Sequence, residues 1–141
     1  MITAKAIMRT DVITVPRGED IREAIRIMAL NNVTGLPVLN EDGTLAGIVT
    51  EKDVLALFYN GHDDPGKVED FMTVHLICFD QEDSLADVVG CLITHGFRRV
   101  PILSKGKLVG IISRRDIIKH ISNFRYGEDI LEKASATEVV Y

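Results

Sequence analysis

Two cysteines, Cys78 and Cys91, are all that the chain has in 141 residues. That is too few for a disulfide framework, and neither falls in a CxxC or Cys/His ligand spacing. Both read as plain buried thiols. The four histidines, His62, His75, His95 and His120, are scattered with no HExxH or HxH pattern, so nothing points to a metal site. Aromatic residues are scarce, 6% against 46% hydrophobic, so the core has to be built from Val, Ile and Leu. No apolar run approaches the roughly 20 residues that span a bilayer. The opening "MITAKAIMRTDV" lacks the apolar stretch of a secretory signal. The expectation is a cytoplasmic protein without membrane contact. Positive charge is the minority, 16 Lys and Arg against 21 Asp and Glu, a formal −5. This balance argues against phosphate-backbone binding, and nucleic acid is not an expected partner. There is no GxxxxGK[ST], no Ser/His/Asp ordering with elbow glycines and no ligand cluster, so catalysis is not expected and no catalytic cofactor is implied.

What the chain does have is itself, twice. Sliding it by 64 places "IMRTDVITV" (7–15) over "FMTVHLICF" (71–79), and "EDIREAIRIMALNNVTGLPVLN" (19–40) over "DSLADVVGCLITHGFRRVPILS" (83–104). At a shift of 63, "DGTLAGIVTEKDVL" (42–55) lies over "KGKLVGIISRRDII" (105–118). Pro37 meets Pro101, Gly43 meets Gly106, Gly47 meets Gly110 and Asp53 meets Asp116. Self-similarity of this kind marks a tandem repeat.

Each repeat reads β-α-β-β-α. "VITV" or "LICF" is the opening strand. A helix follows, started by Asp20 with Glu23 or by Ser84 with Asp87 as capping boxes. Its inward positions are Ile21, Ala24, Ile25, Met28 and Ala29, matched by Leu85, Val88, Val89, Leu92 and Ile93. "LPVLNEDGTLAGIV" and "VPILSKGKLVGII" read as hairpins around a glycine turn. A second helix turns Val54, Leu57 and Phe58, or Ile117, Ile118 and Ile121, inward. A unit of this size buries too little surface alone, so two are expected to pack through their sheets about an approximate two-fold axis. The fold class is α+β. The boundaries are 1–58 for the first repeat, 59–67 for a linker, 68–122 for the second, and 123–141 for a tail, helical from about Glu128 to Lys133.

"GIVTEKD" (47–53) and "GIISRRD" (110–116) are the most distinctive shared device. Thr50 to Asp53 and Ser113 to Asp116 fit the capping box. Unlike the other helix starts, these open directly from a strand end, where crevices form in α/β arrangements.

The chain resembles a pair of CBS (cystathionine β-synthase) domains, the tandem called a Bateman module. The resemblance rests on Met8 and Met72 before the first strands, "GLPV" and "RRVPI" before the hairpins, the hairpin glycines, and the two motifs just quoted, and it covers about residues 4–121. It implies a regulatory sensor of adenosine nucleotides with two potential sites between the repeats, commonly paired into a disc-shaped homodimer. Carried over, Asp53 and Asp116 become ribose ligands through charge-assisted hydrogen bonds, with Thr50 and Ser113 as hydroxyl partners near ribose or phosphate. The adenine slots match Ile13, Val33 and Ile48 in the first repeat, and Ile77, Phe97 and Ile111 in the second.

Charge separates the halves. Residues 1–66 carry 6 basic and 10 acidic side chains, residues 67–122 carry 8 and 7. Arg98 and Arg99 stand where the first repeat has Thr34 and Gly35, and Arg114 and Arg115 where it has Glu51 and Lys52. Related modules set residues at the positions of Arg98 and Arg99 against phosphate, which the planar guanidinium fork suits. Arg114 and Arg115 are further phosphate candidates. The expectation is one site, fed by Arg98 and Arg99, that holds a charged nucleotide better than its mate. The leading reading is a stand-alone module that binds AMP, ADP or ATP and signals to a separate protein. The alternatives are an S-adenosylmethionine module, which would not need Arg98 or Arg99, and an interaction module with degenerate sites.

Overall fold

The computed structural model describes residues 1–61 and 65–123; the expected tail helix lies outside them. The element order is β1 (Val15–Pro16), α1 (Ile21–Asn31), β2 (Gly35–Leu39), β3 (Leu45–Thr50), α2 (Glu51–Asn60), then β4 (Phe79–Asp80), α3 (Leu85–His95), β5 (Arg99–Ser104), β6 (Lys107–Ser113) and α4 (Arg114–Ile121). Short 3-10 turns at Ala4–Ala6 and Val68–Asp70 precede each set. Two three-stranded sheets result, ordered β1-β2-β3 and β4-β5-β6, each with a parallel first pair and an antiparallel hairpin. Both hairpins carry an irregularity at the same place, Val38/Leu39 and Ile102/Leu103. The second turns on Lys105 and Gly106, with φ of 52° and 79°, the two-residue geometry whose twist matches the strands.

The β-α-β-β-α reading holds, with four corrections. First, the opening strands are two residues long rather than four. β1 pairs only with the far end of β2, Val15 with Val38 and Pro16 with Leu39, so the residues just before it have no ladder. Second, α1 and α3 have one-armed caps. The Asp20 carboxylate accepts from the Arg22 amide at 2.8 Å and the Ser84 hydroxyl from the Ala86 amide at 3.1 Å. Glu23 does not reach back; it pairs with Arg26 one turn on. Third, the inward stripes are narrower than the apolar pattern. Ile21, Ala24 and Met28 are buried, as are Leu85, Val88 and Leu92, because one sheet covers a single i, i+3, i+7 seam. Ile25, Ala29, Phe58, Ile93, Ile118 and Ile121 face outward instead. α2 also continues to Asn60 and ends on Gly61 in the left-handed conformation, so Tyr59 and Asn60 are helix rather than linker.

The halves are bound by an exchange. Val68, Phe71 and Met72 pack into the core of Val15, Ile21, Leu36, Val38 and Val49, while Ala4, Ile7 and Met8 pack into that of Val88, Val100, Ile102 and Ile112. The segment leading into each repeat therefore completes the other repeat's core. Backbone pairs fix it: Ile48 and Thr73 exchange hydrogen bonds of 3.0 and 2.8 Å, and Arg9 and Ile111 do so at 2.9 and 3.0 Å. Upstream, Val68 N donates to Glu19 O, and Ala4 N to Asp83 O, both at 2.8 Å.

This crossing explains two of the repeated glycines. A Cβ on Gly47 would lie 2.6 Å from Thr73 O and 2.9 Å from Met72 Sδ. On Gly110 it would lie 2.6 Å from Met8 Sδ and 2.9 Å from Arg9 O. Each methionine crosses the other repeat's glycine, and no side chain fits beneath it. Gly47→Ala and Gly110→Ala are each expected to destabilise by about 1–3 kcal/mol, the usual cost of overpacking. Gly90, on α3 with open space around its Cβ direction, is the control. Gly90→Ala should stabilise by about 0.5–1 kcal/mol through helix propensity. Urea unfolding of the three variants reads out the opposite signs.

Candidate functional site

The unpaired opening stretches create two clefts. Among the described residues, the backbones of 11–13 and of their counterparts 75–77 make no backbone hydrogen bonds. Each stretch instead forms the rim of a cavity between the repeats. Cleft 1, of about 440 Å³, is bordered by Ile77 and Phe97 from the second repeat and by Ile48 and Thr50 from the first. Cleft 2, of about 540 Å³, is bordered by Ile13 and Val33 from the first repeat and by Ile111, Ser113, Arg115 and Asp116 from the second. Both volumes suit a small organic ligand. The expected slots thus recombine across the pseudo-two-fold: Ile48 joins Ile77 and Phe97, and Ile111 joins Ile13 and Val33. The mixing follows from the exchange, which lays each opening stretch along the other repeat's third strand.

Ile13, Ile77 and Phe97 are 37–39% exposed, so these apolar side chains face open space rather than core. The His95 ring stacks on Phe97 with centroids 5.3 Å apart and steadies it at the rim of cleft 1.

Both motif aspartates cap their own helices. Asp53 Oδ2 accepts from Thr50 N at 2.8 Å and from Thr50 Oγ1 at 3.2 Å. Asp116 Oδ2 accepts from Ser113 N at 2.8 Å and from Ser113 Oγ at 2.9 Å, and Ser113 Oγ accepts from Asp116 N at 3.2 Å. In each case one carboxylate oxygen serves the cap. The other, Oδ1, has no hydrogen-bond donor among the described residues and remains available to hydroxyl donors. Asp116 borders cleft 2 together with Ser113. Thr50 borders cleft 1, but Asp53 is not among the residues around that cavity.

The arginines divide three ways. Arg98 and Arg99 border both clefts, which corrects the expectation that they feed one site alone. Arg98 Nη1 pairs with Glu51 Oε1 at 2.9 Å, and Arg99 Nη2 donates to Thr34 Oγ1 at 2.5 Å. Burial first, and the adjacent Arg98 charge second, hold the Arg99 guanidinium below its ordinary pKa, while Glu51 acts the other way. Its charge is thus incompletely compensated, and an anion there would be stabilised. Arg115 borders cleft 2. Arg114 turns away and closes the end of α3, donating to Phe97 O at 2.7 Å and Leu92 O at 3.5 Å, so it borders neither cleft. Glu51, its counterpart, stays in cleft 1. Arg9, Asp11, His75 and Lys52 also border the clefts and were not singled out by sequence. The repeat register held the signal, since 11 falls opposite 75 inside the unladdered stretch and 9 opposite 73 at the bridge just before it.

The fold and its paired clefts define a two-repeat α+β module with two inter-repeat cavities. The CBS domain model matches residues 4–60 and 68–123, and the chain belongs to the CBS domain family. It is 36% identical over 115 residues to uncharacterized protein MJ1225 of Methanocaldococcus jannaschii, matching 82% of this chain and 41% of that protein. The chain thus spans about two fifths of that relative's length. Its fold is similar to CBSX2 solved in complex with AMP, at 26% identity, TM-score 0.81, and coverage of 89% and 99% of the two chains. It is also similar to the CBS domain pair of MJ0100 in complex with 5-methylthioadenosine and S-adenosyl-L-methionine, at 25% identity, TM-score 0.74, and coverage of 85% and 99%. Among the described residues no helix is long and apolar enough to cross a membrane, and no group of three His, Cys, Asp or Glu side chains is placed to hold a metal ion.

Arg114→Ala is expected to cost about 1 kcal/mol in urea unfolding, as a charged donor to carbonyl oxygens is lost. Arg115→Ala, at the mouth of cleft 2, should leave the unfolding midpoint in place. Equal stability of the two variants would contradict the division of roles drawn from their contacts.

Proposed function

We propose that this chain is a non-catalytic sensor that binds adenosine nucleotides, AMP, ADP or ATP, between its repeats and passes their occupancy to a partner protein. The observation that carries this reading is the make-up of cleft 2. It joins an apolar slot at Ile13 and Val33, a carboxylate oxygen of Asp116 left over from capping, and the guanidiniums of Arg98, Arg99 and Arg115. These are the three chemistries of a nucleotide: a flat apolar base, a vicinal diol and an anion. The AMP complex of CBSX2, a relative of the same fold, supports it.

Cleft 1 favours a second ligand class. Glu51 sets a carboxylate against Arg98, where it stands in for a phosphate, and Asp53 lies back from the cavity. An uncharged or cationic adenosine derivative such as S-adenosylmethionine needs no displacement of that ion pair, and the MJ0100 complex supports this choice for one of the two sites. The pair is largely exposed, 66% and 42%, so it contributes little net stability. Glu51→Gln is therefore expected to raise AMP affinity in cleft 1 by about threefold, a change within 1 kcal/mol.

Titration calorimetry with AMP, ATP and S-adenosylmethionine tests the reading, and no heat from any of them would sink it. Asp116→Asn separates capping from ligand binding. The amide oxygen can still cap, while the second oxygen becomes a donor, so affinity should fall about tenfold with little loss of stability. The same change at Asp53 should weaken binding much less. If Asp116→Asn leaves affinity untouched, the carboxylate is a cap alone and the degenerate, interaction-only reading gains.

A homodimer is part of the proposal. The outer faces of the two helix pairs carry Phe58 at 88%, Tyr59 at 90%, Ile93 at 77% and Ile118 at 66% exposure. Apolar surface of this kind marks an interface, and its presence on both pseudo-equivalent faces suits a second copy of the chain. Sedimentation should give a dimer, and Phe58→Glu combined with Ile118→Glu should give a folded monomer.

A further inference from the structure

The linings of the two clefts have Thr34, Arg98 and Arg99 in common. In the repeat register Arg98 and Arg99 are the counterparts of Thr34 and Gly35, so this basic pair has no basic mate. One set of guanidiniums serves two cavities. The placement is built into the backbone: a Cβ at Gly35 would lie 2.5 Å from Arg99 Nη1. The missing side chain lets Arg99 lie across the boundary between repeats and reach Thr34 on the far side.

We infer that the two clefts are negatively coupled for phosphate-bearing ligands through this shared pair, so that a phosphate held in one withdraws Arg98 and Arg99 from the other. The inference rests on the nucleotide reading above and adds a rule of occupancy to it. A guanidinium presents its donors in one rigid plane and grips one phosphate in bidentate fashion at a time. Once engaged, the pair's charge is neutralised, and the second phosphate meets an anion instead of a cation. What remains to it is Lys52 in cleft 1, or Arg9 and Arg115 in cleft 2, with Arg9 already 3.7 Å from Asp11. Second binding is weakened rather than abolished. Adenosine makes no demand on either guanidinium and is exempt. One nucleotide therefore sits with one uncharged adenosine compound more readily than two nucleotides sit together.

The test is a thermodynamic cycle by calorimetry. Ile13→Trp fills the slot of cleft 2 and Ile77→Trp that of cleft 1; both residues are more than a third exposed at the rims, so folding is unaffected. Each variant yields the affinity of its remaining cleft alone. For AMP, the product of the two dissociation constants of the native protein should exceed the product of the single-cleft constants by about tenfold, within the usual range of coupling between sites. For adenosine the products should agree. Equal products for AMP overturn the coupling and leave nucleotide binding intact. An excess that survives in the Arg98→Ala, Arg99→Ala double variant assigns it to plain repulsion between phosphates and overturns the shared pair. Absence of heat from both AMP and adenosine overturns the nucleotide reading, and the coupling with it.

Discussion

The crossing of each lead segment over the other repeat's glycine is the contact on which the rest depends. Thr73 and Met72 pass directly above Gly47, and Arg9 and Met8 above Gly110, with a reciprocal pair of backbone hydrogen bonds at the next residue, Ile48 or Ile111. Hydrogen bonds of this kind need the chains at ladder distance, and a Cβ underneath would hold them apart. Glycine at this place is therefore a condition for assembling two half-cores into one molecule. Because Val68 and Ala4 are fully buried in the partner half, neither half has a complete core without the other's leader.

The clefts are a by-product of the same crossing. A leader pinned at Thr73 or Arg9 must travel to β4 or β1, and it does so without pairing to either sheet. Its amides and carbonyls are left free beside an apolar wall. Unpaired backbone is normally a liability in an interior, but at an open cleft it has access to solvent. Strand pairing all along "VITV" or "LICF" would satisfy these groups and close the cavities.

Much of this was legible in the residues. The 64- and 63-residue shifts aligned Met8 with Met72 and Gly47 with Gly110, and the helix and hairpin order followed from periodicity and turn glycines. Three things were not. Alignment tells which residues are equivalent but not which wall faces which, so Ile48 was grouped with Ile13 although it faces Ile77. The apolar stripes of the helices were read as all inward, because composition cannot distinguish a residue covered by its own sheet from one such as Phe58 that is left bare. And Arg114 looked like the twin of Arg115 in sequence, yet adjacent positions on a helix point about 100° apart, which sent one to the end of α3 and the other to cleft 2.

Capping does not spend the whole carboxylate in "TEKD" or "SRRD". A carboxylate has two oxygens, and a helix start consumes one of them at a fixed angle, as Oδ2 of Asp53 and of Asp116 shows. The cap orients the second oxygen without any further device. The two copies differ in charge: in the first repeat the residue after the cap is Glu51, which lies in cleft 1 against Arg98, while in the second it is Arg114, which closes the end of α3. The frame is symmetric where the glycine and methionine contacts leave no room for a Cβ. The charges are not, and at exposed positions beside a cavity a charge costs little to alter. A symmetric frame carrying unequal charge thus presents two unlike clefts that share one pair of arginines.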